Sequence, residues 1–450
     1  MGQGKSLLIT SIGNPQNYSF TTYSYRGEPK KGCVSSVVFD VVDKAIYVGL
    51  ASLIDVRTHT QGEKTCGSTQ QTNECAEKAR KILEKYQGKS YGEYAELHHD
   101  AEEALEEYAE STFRSAHSIV VPPLGKPGEK YTFRFPPNTA NTILLLKLYR
   151  ECGEETYTRI MVDLTHGVNF LPTLCLKAAQ LLSQIMLVRS RSAVSLEAYN
   201  ADPYKPNIEK QEVNLVHSEA VENLTLYNLL QEPKKIKGDL RSLLQDEERE
   251  KLCATYSASK YLLKTLAHPY PLTLAYAAER FKRKADPKLV NVLVNQILEK
   301  CEWSDNTAKT QYEVDELYAF QIILAYEVAK QVSKIAVWNN GYTLGTIEKL
   351  AELYGIVAQP YTILIKQEIS KIKEKLKTNQ GFRGTLAELY GHKDTPNQMD
   401  KRIMVAHAGF QMEFIHLEEG RAAYYDGERR MDPRDEGDQE ELRSLLDPTF

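Results

Sequence analysis

Near residue 219 the hydrophobic period of this chain changes. Before it, short apolar runs alternate with helical segments; after it, almost everything repeats at helical spacing. Residues 6–12 (SLLITSI), 46–56 (IYVGLASLIDV), 118–122 (SIVVP) and 159–164 (RIMVDL) read as strands, and the Thr/Tyr-rich stretch 20–25 as a strand of a hairpin. Residues 74–86, 91–108, 139–150 and 171–186 read as helices. Parallel strands need a crossover of a dozen or more residues between them. Such alternation therefore predicts a mostly parallel sheet covered by helices. Strand-like pieces return at 192–199 and 211–217 and suit a hairpin.

In the second regime helices are expected over 219–230, 240–266, 271–283, 287–301, 313–337, 344–353, 360–378 and 400–410. A loop rich in Gly, His, Asp, Pro and Asn separates the last two. A small hairpin over 411–416 and 421–426 follows, and then a charged tail, 426–450, expected to be loose. At 450 residues the chain exceeds one ordinary core. The expected division is an α/β unit over 1–218, a helical linker or insertion with the start of the last domain over 219–345, and an all-α unit over 346–450.

Composition bounds the function. The net charge of −5 provides no global field for nucleic acid, so any RNA site must be local, which weighs against a nonspecific high-affinity binder. No run approaches the roughly 18 apolar residues of a membrane span. Residues 1–10 read as a first strand and not as a signal peptide. Seven scattered cysteines with no C-x-x-C pair indicate neither a zinc site nor a disulfide framework, and point to the cytoplasm.

Two strand-to-loop junctions carry the first candidate site: Ser11-Ile12-Gly13-Asn14-Pro15 and Asp163-Leu164-Thr165-His166-Gly167. In an open α/β sheet, ligands sit beyond the carboxyl ends of strands where the topology reverses. Ser11, Asn14 and Thr165 offer short polar groups to ribose or phosphate. Gly13 and Gly167 let backbone N–H groups come close, and the helix beyond Gly167 adds a positive dipole. His166 offers a donor to phosphate or a ring to a base. Either junction alone reads equally well as a capped turn; two in one sheet favour a ligand. Asp163 is expected to be structural, holding its own loop.

The second candidate is Arg402-Ile403-Met404-Val405-Ala406-His407, followed by Ala408-Gly409-Phe410. Cutting RNA without a metal needs a group that moves a proton, for which imidazole is suited, and one that holds the phosphorane charge, for which guanidinium is suited. On an ideal helix the two residues stand about 140° apart. Either the long arginine reaches round, or a symmetry-related copy completes the site. The alternative is a surface arginine and a half-buried core histidine. Arg159 and His166 form a similar pair that spans a strand and a loop. His98-His99-Asp100 on a charged helix is not a chelate, and 366–377 reads as a solvated basic face. Gly2-Gln3-Gly4-Lys5-Ser6 precedes a strand instead of following one, so no phosphate loop is inferred.

The ordered trio of both junctions and Arg402-x4-His407 resembles the CARF–HEPN ribonucleases of type III CRISPR systems, most closely the branch common in archaea. The resemblance implies a Rossmann-like CARF domain followed by an all-α HEPN domain. It implies a sensor that dimerises and binds cyclic tetra- or hexa-adenylate, and metal-independent cutting of single-stranded RNA by a homodimer or higher oligomer. Ser11, Gly13, Asn14, Thr165, His166 and Gly167 would contact the activator, and Arg402 and His407 would be catalytic. No cofactor, metal, membrane or stable DNA partner is implied. Where the family often has Asn after the arginine, this chain has Ile403. Asn397 or Asp394 contributes instead, or the site works with two groups. Two rivals stand beside this reading: a ligand-sensing transcription regulator with a helical DNA-binding half, and a sensor domain that itself degrades the cyclic nucleotide.

Overall fold

A computed structural model of the chain describes residues 4–18, 20–39, 42–55, 74–113, 117–128, 130–168, 170–203, 210–225, 228, 230–232, 236, 238, 242–392 and 401–446, with backbone alone for 401–403 and 445–446. The N-terminal part is built on nine strands: β1 (Lys5–Ser11), β2 (Thr21–Tyr25), β3 (Glu28–Gly32), β4 (Lys44–Leu50), β5 (Ser118–Val121), β6 (Thr132–Arg134), β7 (Tyr157–Asp163), β8 (Val194–Ala201) and β9 (Lys210–Val221). All but β6 form one sheet, ordered β3-β2-β9-β8-β7-β1-β4-β5. The strands from β8 to β5 are mutually parallel; β9 returns antiparallel on β8, as the hairpin reading requires. The centre is apolar on both faces: Leu7, Ile9, Ile46, Val48, Ile160 and Val162 on one face have no measurable exposure, and Leu8 and Met161 on the other are buried against Tyr23, Val38 and Phe39.

The chain leaves β1 to form the β2–β3 hairpin at the far edge of the sheet, returns to β4 and β5 on one flank of β1, and then crosses to β7 on its other flank. The order therefore reverses at β1, and its neighbour β7 pairs with it in parallel, Thr10 opposite Asp163. In open α/β sheets such a reversal is where ligands bind, beyond the carboxyl ends of these two strands. The helix Leu171–Ser190, which starts just past this edge, is long and apolar enough to span a bilayer by length and composition, but most of it is buried inside the fold.

Several expectations are corrected. No helix starts at 219, because β9 runs through Val221 and pairs it with Val194. The next long helix begins at Asp246, where Gln245 and Glu248 form a reciprocal cap. The cysteines are not all free: Cys33 and Cys75 form a disulfide. The short strands β10 (Glu302–Ser304) and β11 (Thr307–Lys309) went unread, since three residues carry no periodicity. β11 pairs with β6 in parallel and carries β10 antiparallel on its other side, which ties the helical half to the α/β half. The tail is not loose over 426–446. Helix Glu436–Leu446 docks with Asp438, Gln439 and Leu442 buried, and its charges are consumed in pairs such as Arg280–Glu440 and Arg429–Asp438.

Helix Glu316–Ile335 is buried along most of its length and packs on Pro137–Cys152 and Leu171–Ser190 from one side, Asp246–Leu266 and Pro271–Lys284 from the other. A third sheet joins β12 (Tyr342–Thr343), β13 (Arg383–Thr385), β14 (Ile415–Glu418) and β15 (Arg421–Tyr424) in the order β12-β15-β14-β13. The expected hairpin is β14–β15, turned by Glu419 and Gly420, both at positive φ as a tight primed turn requires.

Candidate functional site

The two junctions meet. A Cβ on Gly167 would stand 2.9 Å from the Ser11 hydroxyl and 2.6 Å from Pro172, so only glycine allows the loops to close on each other here. Most of the polar groups predicted to face a ligand also hold this edge together. Ser11 Oγ donates to the Asp163 carbonyl at 3.3 Å, and the Gly13 N–H donates to the Tyr18 hydroxyl at 2.6 Å. Asn14 Oδ1 caps the turn by accepting from Gln16 N–H at 3.0 Å. Thr165 Oγ1 accepts from Ala201 N–H at 2.9 Å. Asp163 is structural as read: it takes the Thr165 N–H at 3.1 Å and the Ser35 hydroxyl at 2.6 Å, fully buried.

His166 is more constrained than its sequence position suggests. Its Nε2 accepts from the Ser35 N–H at 3.1 Å and lies 3.2 Å from the Tyr23 hydroxyl, so that nitrogen is not free to donate to a phosphate. Its ring lies against Tyr18, centroids 4.8 Å apart. Burial pulls its pKa below the ordinary histidine value, opposed by the carboxylate of Asp163. The residues from Leu164 to Val168 keep partial exposure, which leaves this loop accessible at the carboxyl edge of the sheet. Ser35 and Tyr23 were missed: they stand more than a hundred residues from His166 along the chain, in a region with no recognisable motif.

At the other end of the molecule the expected long helix over 400–410 is short, Lys401–Ala406. It stops because Ala408 adopts φ +52° and Gly409 φ +79°. Gly409 N–H then bonds Met404 O at 2.6 Å and Ala408 N–H faces Val405 O at 3.5 Å, the paired bonds of a left-handed helix stop. His407 is thus the cap residue and not part of a helix face, and the 140° argument does not apply to it. Arg402 lies within the helix; its side chain is outside the described atoms. Asp394 and Asn397 lie outside the described residues. The His407 side chain is 37% exposed, and its Nδ1 lies 3.3 Å from Glu368 Oε2, a carboxylate only 10% exposed. Glu368 sits on helix Gln359–Thr378, whose outer face alone is the solvated basic surface that was read. Arg159, the partner in the similar pair, is bound to Glu197 at 2.7 Å and belongs to the sheet.

Residues 7–203 match the model of the CARF domain of the CRISPR system endoribonuclease Csx1, and residues 358–422 match the model of the HEPN domain of that endoribonuclease. Both junctions fall within the first match, and Glu368, Arg402 and His407 within the second. A ligand-sensing α/β domain joined to an RNA-cutting helical domain is the class these matches define. The chain belongs to the CARF–HEPN ribonucleases of CRISPR systems. No curated protein matches it.

Proposed function

We propose that this protein is a metal-independent endoribonuclease that cuts single-stranded RNA in the cytoplasm when a cyclic oligoadenylate, foremost cyclic tetra-adenylate, occupies the crevice at the ends of β1 and β7. It serves type III CRISPR antiviral defence and needs no cofactor beyond this activator. Matched domains at both ends of one chain carry this reading. The Ser11–Asn14 and Thr165–Gly167 loops receive the activator, with Gly13 and Gly167 permitting close approach of backbone. Two copies associate, so that two Arg402/His407 pairs share one crevice. The activator shifts the population toward the arrangement in which they are in register.

In the chemical step the 2′-hydroxyl oxygen bonds to phosphorus, the P–O5′ bond breaks, and Arg402 holds the phosphate charge while His407 moves a proton at the 2′- or the 5′-oxygen. The products are a 2′,3′-cyclic phosphate and a 5′-hydroxyl. The division of the chain at 218 and 345 follows the same reading: sensor, helical linker or insertion, nuclease. Incubating the protein with cyclic tetra-adenylate and labelled RNA or DNA tests it against its rivals. Cut RNA supports the proposal; a DNA mobility shift without cleavage favours the regulator, and consumption of the ring alone favours a degrading sensor.

A further inference from the structure

We infer that Glu368 is a positioning residue that sets which nitrogen of His407 faces the RNA. The inference rests on the reading of His407 as the proton-moving group. Glu368 occupies the buried stripe of its helix, in line with Ile365, Ile369 and Ile372. A carboxylate placed there is destabilising unless both oxygens are paired. They are: Oε1 accepts from Lys371 Nζ at 2.5 Å, and Oε2 faces His407 Nδ1 at 3.3 Å.

A carboxylate paired with an ammonium accepts and does not donate. The proton of the neutral imidazole therefore sits on Nδ1, and Nε2 carries the lone pair. The geometry runs from inside to outside: the carboxylate is nearly buried, the ring is half exposed, and the backbone of the ring's residue is fixed by the helix stop at Ala408–Gly409. Nδ1 is thus held, and among the described residues Nε2 is the nitrogen left to meet substrate. That assigns His407 to the 2′-hydroxyl as base. Its Nε2 takes the hydroxyl proton, the 2′-O–P bond forms, the P–O5′ bond breaks, and the 5′-oxygen takes a proton from water. The imidazolium formed lies against Glu368 until it returns its proton to solvent, an arrangement in which a carboxylate both orients and electrostatically supports a base.

The test uses the full chain activated with cyclic tetra-adenylate. Glu368→Ala is expected to lower kcat on the order of 100-fold with KM unchanged within about twofold, and Glu368→Gln, which keeps an acceptor oxygen but not the charge, on the order of 10-fold. Nitrogen NMR of labelled histidine supplies a readout that a structural role would not move: His407 should be the Nδ1–H tautomer in the parent protein and turn to Nε2–H in Glu368→Ala. A Glu368→Gln protein that folds and retains full kcat overturns the inference, as does an unchanged tautomer in Glu368→Ala. If His407→Ala itself still cuts, the catalytic reading of His407 fails first and the inference falls with it. The tautomer measurement then reports separately whether the contact exists.

Discussion

The packed contact between the sensor helix Leu171–Ser190 and helix Glu316–Ile335 contains one deeply buried ion pair. Arg189 Nη2 lies 2.8 Å from Glu327 Oε1, with side chains 5% and 1% exposed. Tyr149 donates to the same oxygen at 2.6 Å, and the Arg189 guanidinium lies over the Tyr149 ring. Replacing Arg189 with methionine keeps most of the volume and leaves the Glu327 charge buried. Breaking such a pair from one side costs about 3–5 kcal/mol. The Tyr149 hydroxyl, with Lys330 Nζ 4.0 Å from Oε2, still serves the carboxylate, which places the loss near 3 kcal/mol. At roughly 2 °C per kcal/mol for a cooperative unit of a few hundred residues, the thermal midpoint should drop by about 6 °C. Arg189→Met/Glu327→Leu removes both charges and should recover most of that loss, since an apolar pair of similar volume is often no worse than a buried ion pair. Calorimetry of the four proteins in a double-mutant cycle measures this. A single variant within about 1 °C of the parent, or a double variant as unstable as the summed singles, would refute the reasoning.

Three further outcomes follow from particular contacts. Gly409→Ala should destabilise the nuclease half by about 1–2 kcal/mol or more in urea unfolding, because φ is +79° and the new Cβ would press on the Tyr270 backbone at 3.0 Å. His98 and His166 both have pKa values lowered by burial, so the unfolded chain binds more protons than the folded one as pH falls through the ordinary value of 6.5. Stability present above that pH should be lost below it, and His166→Gln should flatten the fall in thermal midpoint between about pH 7.5 and 5.5. Deleting 436–450 should lower the midpoint of the helical half, since Arg280 would be left buried without Glu440 and the core would lose Leu442; an unchanged midpoint would show that the tail does not dock.

The centre of the sheet was legible because β1, β4, β5 and β7 are buried and read as apolar runs, and the helices Pro271–Lys284, Leu344–Tyr354 and Gln359–Thr378 because their apolar stripes repeat at helical spacing. The two junctions were legible from small residues at strand ends. What escaped notice depends on long-range pairing. Ser35 reaches His166 across a sheet, and β6 finds β11 across more than 170 residues, with no local pattern to announce either. The docked tail is not legible in the sequence because its charges look solvated, whereas they are spent in ion pairs with one another and with Arg280. Helix 400–410 was overextended because Ala408 gives no hint of a left-handed conformation; the glycine after it was the only cue. Glu368 did leave a signal: a lone acid in line with Ile365, Ile369 and Ile372 demands a buried partner.

The most direct test is cleavage of end-labelled single-stranded RNA by the full chain in EDTA, with and without cyclic tetra-adenylate, with His407→Ala alongside. The account predicts cutting that appears with the activator, persists in EDTA, leaves 2′,3′-cyclic phosphate ends, and vanishes in His407→Ala. Cleavage that EDTA abolishes, or that survives the loss of His407, would contradict it.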